Sequence, residues 1–201
     1  MNPFPASFFD ASAATVAPAL LGHWLCRRED DGGFSGGMIV ETEAYLAHGD
    51  PACHAARGQT GRNRSMWGPP GRAYIYFIYG VHHCFNIVCR PVGLAEAVLV
   101  RAVEATVGLP HLRLRRTGVS DRELMNGPGK LCLALGIDLK SDGLQLDDPD
   151  SSILVVSNPD REGAVQRTGP IRASPRIGIT TAADLMLRFA LANSGFISRP
   201  A

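Results

Sequence analysis

Polar and apolar positions alternate most cleanly over residues 39–45, IVETEAY. There Glu41, Glu43 and Tyr45 fall on one side of an extended segment, and Val40, Thr42 and Ala44 on the other. Taken alone, this pattern favours an edge strand with a solvated acidic face over a site, because strand interiors seldom carry carboxylates without a reason. The same period predicts strands at 23–28 and 34–45, joined by the hairpin signal Asp30-Asp31-Gly32-Gly33. Three more strands are predicted at 72–80, 81–90 and 95–104, successive and antiparallel, with a turn at 91–93. Segments 151–157, 176–179 and 196–199 also read as strands, and 183–192 fits helix or strand. Helical spacing is confined to short pieces. One runs from a cap at Asp10 or Ser12 to a stop at Gly22, a second spans 108–116, and a third and fourth at 121–126 and 127–136 are broken at Gly127-Pro128-Gly129-Lys130.

Pro3 and Pro5 predict an extended arm over residues 1–10. Between residues 46 and 71 apolar periodicity all but vanishes, and a connection this long usually has a task or hidden structure. Within it, 50–56 is predicted to form a helical turn carrying His54, and Trp67-Gly68-Pro69-Pro70-Gly71 a rigid exit. No repeat or linker interrupts the pattern, so the expectation is one mixed α+β domain over 1–201.

Composition narrows the class. A chain of 201 residues, 45% hydrophobic and 19% charged, can bury a core without staples, which disfavours disorder and membrane classes. Its net charge of +1 makes no global case for a polyanionic partner. The charges are nevertheless segregated: Arg57, Arg62, Arg64 and Arg72 share a segment without acids, Arg113, Arg115, Arg116, Arg122 and Lys130 dominate another, and acids collect between 138 and 160. A basic face on a nearly neutral protein is compatible with that distribution. The five cysteines, Cys26, Cys53, Cys84, Cys89 and Cys132, include no CxxC pair and predict free thiols in a reducing compartment. The apolar run 13–21 has no basic region ahead of it and contains Pro18, so neither a signal peptide nor a membrane span is expected.

Several residues carry candidate chemistry. Three of the four tyrosines, Tyr74, Tyr76 and Tyr79, crowd one predicted strand. Core packing suits Tyr74, whereas Gly80 favours Tyr79 at a projecting tip, where an aromatic ring beside basic residues can wedge into a base stack. Rings such as Tyr45 and Tyr76 can then sandwich an extruded base. Arg101, among Val98, Leu99, Val100, Ala102 and Val103, either takes Glu43 as its carboxylate partner or lies on a solvent face. His54, His82, His83, Cys53 and Cys84 lack the spacing of zinc ligands, and strand alternation predicts that one of His82 and His83 is buried. The GPGK segment fits a phosphate contact through Lys130 or an ordinary helix start; it is not a Walker loop.

Together these segments resemble the 3-methyladenine (alkyladenine) DNA glycosylase family, over about residues 20–199. The most specific are IVETEAY at 39–45, AYIYFIYG at 73–80 with Asn86 following, AVLVRAVE at 97–104 and NGPGKLCLALGID at 126–138, together with the loop DPACHAARGQTGRNRSMWGPPG at 50–71. The resemblance implies that Glu43 deprotonates the attacking water and that Arg101 helps hold that water. It places Tyr45, His54 and Tyr76 around the flipped base, Asn86 as the guard against guanine's amino group, and Tyr79 in the duplex. Arg57, Arg62, Arg64 and Lys130 become the candidates for the DNA backbone. It also implies a single mixed α/β domain with a curved antiparallel sheet and flanking short helices, no metal or other cofactor, and damaged double-stranded DNA as partner. A monofunctional, monomeric enzyme without lyase activity is expected, cytoplasmic and nucleoid-associated in a bacterium or nuclear in a eukaryote. The chain departs from the family at Val81, where relatives often have methionine, at Ala190, where an aromatic is expected, and over 159–175. The competing classes are a non-catalytic damaged-DNA-binding module and a nucleoside or sugar hydrolase.

Overall fold

The computed structural model describes residues 2–200. Eight strands build one antiparallel sheet: β1 (Trp24–Arg28), β2 (Phe34–Tyr45), β3 (Ala73–Ile78), β4 (His82–Cys89), β5 (Glu96–Val107), β6 (Ile153–Val156), β7 (Ile171–Ser174) and β8 (Arg188–Leu191). Their order is β3-β4-β5-β2-β1-β6, and β8 pairs with the far half of β2 and carries β7 on its outer side. The acidic strand is therefore central. It has β5 along one edge and β1 followed by β8 along the other, so the edge-strand alternative fails, and Glu41 and Glu43 are both 0% exposed. Two features adapt β2 to that position. At Gly37 a Cβ would stand 1.8 Å from the carbonyl oxygen of Glu104, which only glycine permits. Around Glu41 the register with β5 slips and then recovers, and Arg101 sits within that irregularity, between Val100 and Ala102.

Five short helices flank the sheet: α1 (Ala6–Phe9), α2 (Ala13–Leu20), α3 (Leu109–Arg115), α4 (Pro128–Ala134) and α5 (Arg161–Thr168). The buried Glu96 carboxylate caps α2, accepting the Ala13 N–H at 2.8 Å, and Ser12 is the N-cap residue. Val16, Ala17 and Leu20 of that helix join Val40 and Ala44 in the main core, and Thr42 Oγ1 donates to the Ala17 carbonyl at 2.9 Å. One face of β2 thus serves the core, which leaves the glutamates to the other. A smaller cluster including Cys53, Met66, Tyr74, Tyr76 and Leu99 packs between the long loop and that other face. All five cysteines are free and buried. Among the described residues, no helix is long and apolar enough to cross a membrane.

The structure corrects several expectations. The expected arm over 1–10, of which Met1 lies outside the described residues, is not extended throughout: 6–9 wind into α1, because Phe4, Phe8 and Phe9 gain apolar contact there, with the Phe4 and Phe8 rings stacked at 4.0 Å and Phe9 fully buried. Segments 176–179 and 196–199 are not strands. The N–H groups of Ile177 and Ser198 go to the carboxylates of Glu43 and Glu41 instead of to a ladder. The undecided stretch 183–192 contains β8, whereas α5 and β7 had no legible signal, α5 being largely polar with Ala164 its one buried residue. Neither His82 nor His83 is buried, since they are the first two residues of β4, paired with Ile78 and Phe77 at the end of the sheet beside the hairpin turn.

His23, beside β1, yields a pH prediction. Its Nδ1 accepts the Asn158 N–H at 3.0 Å, and burial, then the Arg161 charge, lower its pKa from 6.5 to about 4. Between those values the unfolded chain binds a proton that the folded chain refuses, so stability falls as pH drops through this window. Urea denaturation at pH 7 and pH 4.5 should show a loss on the order of 2 kcal/mol that His23→Gln reduces; an equal loss in both proteins would remove His23 as the cause.

Candidate active site

Strand register brings the acidic face together with side chains from three other strands. Tyr74 of β3 lies opposite Asn86 of β4, Asn86 opposite Leu99 of β5, and Leu99 opposite Glu43 of β2, so these side chains form a row across the sheet. Tyr76 opposite Cys84 and Tyr45 opposite Ala97 extend the same surface. Over it lies a cavity of about 370 Å³, within the range of roughly 300–1,000 Å³ usual for small-molecule sites. Tyr45, Tyr74, Tyr76, Asn86 and Arg101 line it from the sheet, Gly129 from the first turn of α4, and His54, Tyr79 and Ile177 from the turns and loops.

Glu43 stands immediately behind this wall, and three of its contacts line the cavity. Oε1 accepts the Ile177 N–H at 2.7 Å and lies 3.2 Å from Arg101 Nη1, and Oε2 accepts the Tyr45 hydroxyl at 2.9 Å. A carboxylate oxygen can accept two bonds, so Oε2 keeps a lone pair for another donor. Arg101 is shared with Glu41, its Nε lying 3.0 Å from Oε1. Glu41 further accepts Arg188 Nε at 2.7 Å, the Ser198 hydroxyl at 2.8 Å and the Ser198 N–H at 2.6 Å. Two carboxylates and two guanidiniums thereby neutralise charges that would be costly to bury singly. Burial works against the Arg101 charge, but Glu43 and Glu41 outweigh it and raise its pKa.

One further ion pair and a hydrogen bond fix the rings. Asp50 and Arg176 form a fully buried bidentate pair with both contacts at 2.6 Å, and Arg176 lies 4.6 Å over the Tyr45 ring. Burial first, then the Glu43 charge, raise the Tyr45 pKa, so its phenol remains a proton donor. The turn expected at 50–56 is realised as a 3-10 turn at His54–Arg57, which the Asn63 amide secures by donating to the carbonyls of His54 at 2.9 Å and Gly58 at 3.0 Å. His54 Nδ1 lies 2.8 Å from the Tyr74 hydroxyl, with its ring edge-on to Tyr76 at 4.6 Å. Desolvation by these neighbours, then the Arg62 charge, lower the His54 pKa below its usual 6.5, so the imidazole is neutral at pH 7. Asn86 is buried and donates Nδ2 to the Tyr74 carbonyl at 3.0 Å, which fixes the orientation of its amide.

The β3–β4 turn projects beside the cavity. Tyr79 is 80% exposed and adopts φ 55°, a conformation seldom found for a bulky residue, ahead of Gly80. Val81 and Phe77 are exposed next to it. The start of α4 closes against the base of this turn, where a Cβ on Gly129 would meet His82 Cγ at 2.9 Å.

The basic residues divide by use. Arg57 and Arg64 are exposed without a side-chain partner among the described residues. Arg62 donates to the Phe77 carbonyl at 3.0 Å and lies 5.4 Å over the Tyr76 ring, and Lys130 donates to Asn126 Oδ1 at 2.9 Å. The second cluster does not form a free basic face. Arg113 pairs with Asp121, Arg115 with Glu29, and Arg116 and Arg122 with backbone carbonyls. Among the described residues, no three His, Cys, Asp or Glu side chains converge to hold a metal ion.

A sequence model of the methylpurine-DNA glycosylase family matches residues 7–195 of this chain. The chain belongs to that family. Its relatives include proteins named "Putative 3-methyladenine DNA glycosylase". One from Methanoculleus marisnigri is 47% identical over 198 residues, covering 97% of this chain and 98% of the relative. One from Rhodopseudomonas palustris is 48% identical over 193 residues, covering 96% and 86%. A third, from Carboxydothermus hydrogenoformans, is 45% identical over 195 residues, covering 97% and 98%. Methylpurine-DNA glycosylases are DNA-repair hydrolases that cleave N-glycosyl bonds, in agreement with the family and enzyme class expected from the sequence.

The residues expected around the flipped base, Tyr45, His54, Tyr76 and Asn86, line the same cavity as Arg101 and Tyr79, with Glu43 against it. The sequence reading did not single out Glu41, Asp50, Tyr74, Arg176, Arg188 or Ser198 for a role at this site. Glu41 shares the face of Glu43, and Arg188 sits in an apolar strand as Arg101 does, so both carried a usable signal; Asp50, Arg176 and Ser198 lie in irregular segments and carried none.

Proposed function

We propose that this protein is a monofunctional, monomeric DNA glycosylase that flips alkylated or deaminated purines out of damaged duplex DNA. It hydrolyses their N-glycosyl bond and leaves an abasic site. The substrate set is 3-methyladenine, 7-methylguanine, hypoxanthine and ethenoadenine. The observation that carries this reading is the buried Glu43–Arg101 pair standing directly against a cavity lined by tyrosine rings.

In this mechanism the everted base enters between Tyr45 and Tyr76, and His54 and Asn86 contact its edges. As the C1′–N bond lengthens, its electron pair leaves with the base and the sugar takes on oxocarbenium character. A water molecule attacks C1′ and passes its proton to Oε2 of Glu43, the oxygen with a lone pair to spare. Arg101 and the Ile177 N–H hold the carboxylate in place through Oε1. A cationic alkylated purine departs as a neutral base, whereas hypoxanthine needs a proton to leave.

A module that only binds damage has no use for a buried carboxylate–guanidinium pair at the wall of its pocket. A nucleoside hydrolase has no use for an exposed, strained tyrosine beside it. Base release from duplexes each carrying one of the four lesions, followed by chromatography of the freed base, is the deciding experiment. Release from at least one duplex is expected, and binding without release from any would favour the binding module.

Tyr79 supplies a second test. Loss of a stacked wedge is worth about 1–3 kcal/mol, so Tyr79→Ala should bind a lesion duplex roughly 5- to 150-fold more weakly, as read by fluorescence anisotropy. Unchanged affinity would exclude the wedge.

A further inference from the structure

We propose that the segment following β8 supplies a phosphate clamp, in which Arg199 grips the sugar–phosphate backbone at the everted nucleotide. This rests on the glycosylase reading above and assigns a DNA contact to a residue outside the motifs that suggested it.

The backbone on both sides of Arg199 is tied to the buried charge network. Ser198 is bonded to Glu41 through its N–H and its hydroxyl, and Arg101 Nη2 lies 3.3 Å from that hydroxyl. On the other side, Arg188 donates to the Pro200 carbonyl at 3.3 Å. Arg199 is thus presented from an anchored backbone. The residue is exposed and lines the cavity, and among the described residues its guanidinium donates to no side chain and no carbonyl.

The other cations near the cavity are committed. Arg101 lines it but serves Glu41 and Glu43, Arg176 is paired with Asp50, Arg188 with Glu41, and Lys130 with Asn126. Arg57 and Arg64 are unpaired but do not line the cavity. Among the described residues, the guanidinium at this mouth is left free to take an anion from outside the protein. The base cannot be that partner, because an alkylated purine is cationic or neutral. The phosphates flanking the base are anionic, and a guanidinium matches a phosphate with two parallel hydrogen bonds. Because Arg199 belongs to the cavity, its contact forms only when a nucleotide has been turned into it, so it should favour damaged over intact DNA. Arg57 and Arg64 have no such requirement.

The test compares wild type, Arg199→Ala and Arg199→Lys on a duplex carrying a tetrahydrofuran abasic analogue and on the same duplex undamaged, with affinity measured over a series of salt concentrations. Among the described residues the Arg199 side chain bonds to nothing internal, so Arg199→Ala should keep the wild-type thermal midpoint. It should bind the analogue duplex about three- to tenfold more weakly at moderate salt, with the salt slope reduced by about 0.9, the value of one phosphate contact. Arg199→Lys should restore the slope, and affinity for undamaged duplex should change little. Replacing one phosphate beside the lesion with a neutral methylphosphonate should weaken wild type and leave Arg199→Ala unaffected. Equal affinity and slope for wild type and Arg199→Ala would overturn the clamp, as would an equal loss on both duplexes. If wild type binds the analogue tightly but releases no base from any lesion duplex, the glycosylase reading fails while the clamp is still measured. If wild type releases base and Arg199→Ala binds as wild type does, the clamp alone fails.

Discussion

Glu43→Gln is expected to lose base release by at least about 10²–10⁴-fold while retaining its fold and its affinity for lesion duplex. Glutamine keeps the shape of the side chain, and its carbonyl oxygen can still accept the Ile177 N–H. Arg101 is not orphaned, because Glu41 remains 3.0 Å from its Nε. What disappears is the basicity of the oxygen that bonds to Tyr45 and has one lone pair free. Single-turnover excision with enzyme in excess, paired with an anisotropy titration, separates chemistry from binding. A variant within about tenfold of the wild-type rate would show that Glu43 is not the base, since general-base contributions are larger than that.

Glu41→Ala should be the most destabilising of the substitutions considered. Glu41 is completely buried and is the acceptor on which Arg101, Arg188 and Ser198 converge. Among the described residues, removing it leaves Arg188 buried without a carboxylate and leaves Arg101 with Glu43 alone. Breaking a buried pair from one side costs about 3–5 kcal/mol. At this chain length, roughly 2–4 °C per kcal/mol converts that into a fall in thermal midpoint of about 6–20 °C. Calorimetry would measure it, and a shift under about 2 °C would mean that the arginines find other partners at little cost. Glu43 and Glu41 thus divide the work of the acidic face, the first beside the cavity and the second holding the cation and the following segment in place.

The central hairpin, the three successive strands and the short helices at 109–115 and 128–134 were legible because each announces itself by local period or by turn residues. The projecting Tyr79 was legible too, since Gly80 leaves a tip little alternative. The depth of Glu41 and Glu43 was not. Local alternation looks the same on an edge as in the centre of a sheet; β8, from about 150 residues further along, closes the open edge of β2 beside Glu41 and Glu43, and the segments around Ile177 and Ser198 bond to their carboxylates. The segments 176–179 and 196–199 misled for a related reason: their apolar residues suit a strand, but their backbone N–H groups satisfy carboxylates. Arg101 was recognisable as a cation in need of a partner, although Glu43 was only half of the answer.

The account stands on the claim that the cavity against Glu43 receives one purine turned out of a duplex. A crystal structure of Glu43→Gln bound to a duplex containing ethenoadenine tests it most directly. The expected result is the modified base lying between the rings of Tyr45 and Tyr76, its C1′ facing position 43, with Tyr79 occupying the gap left in the stack. A base still paired within the helix, with the protein held only by phosphate contacts, would contradict it.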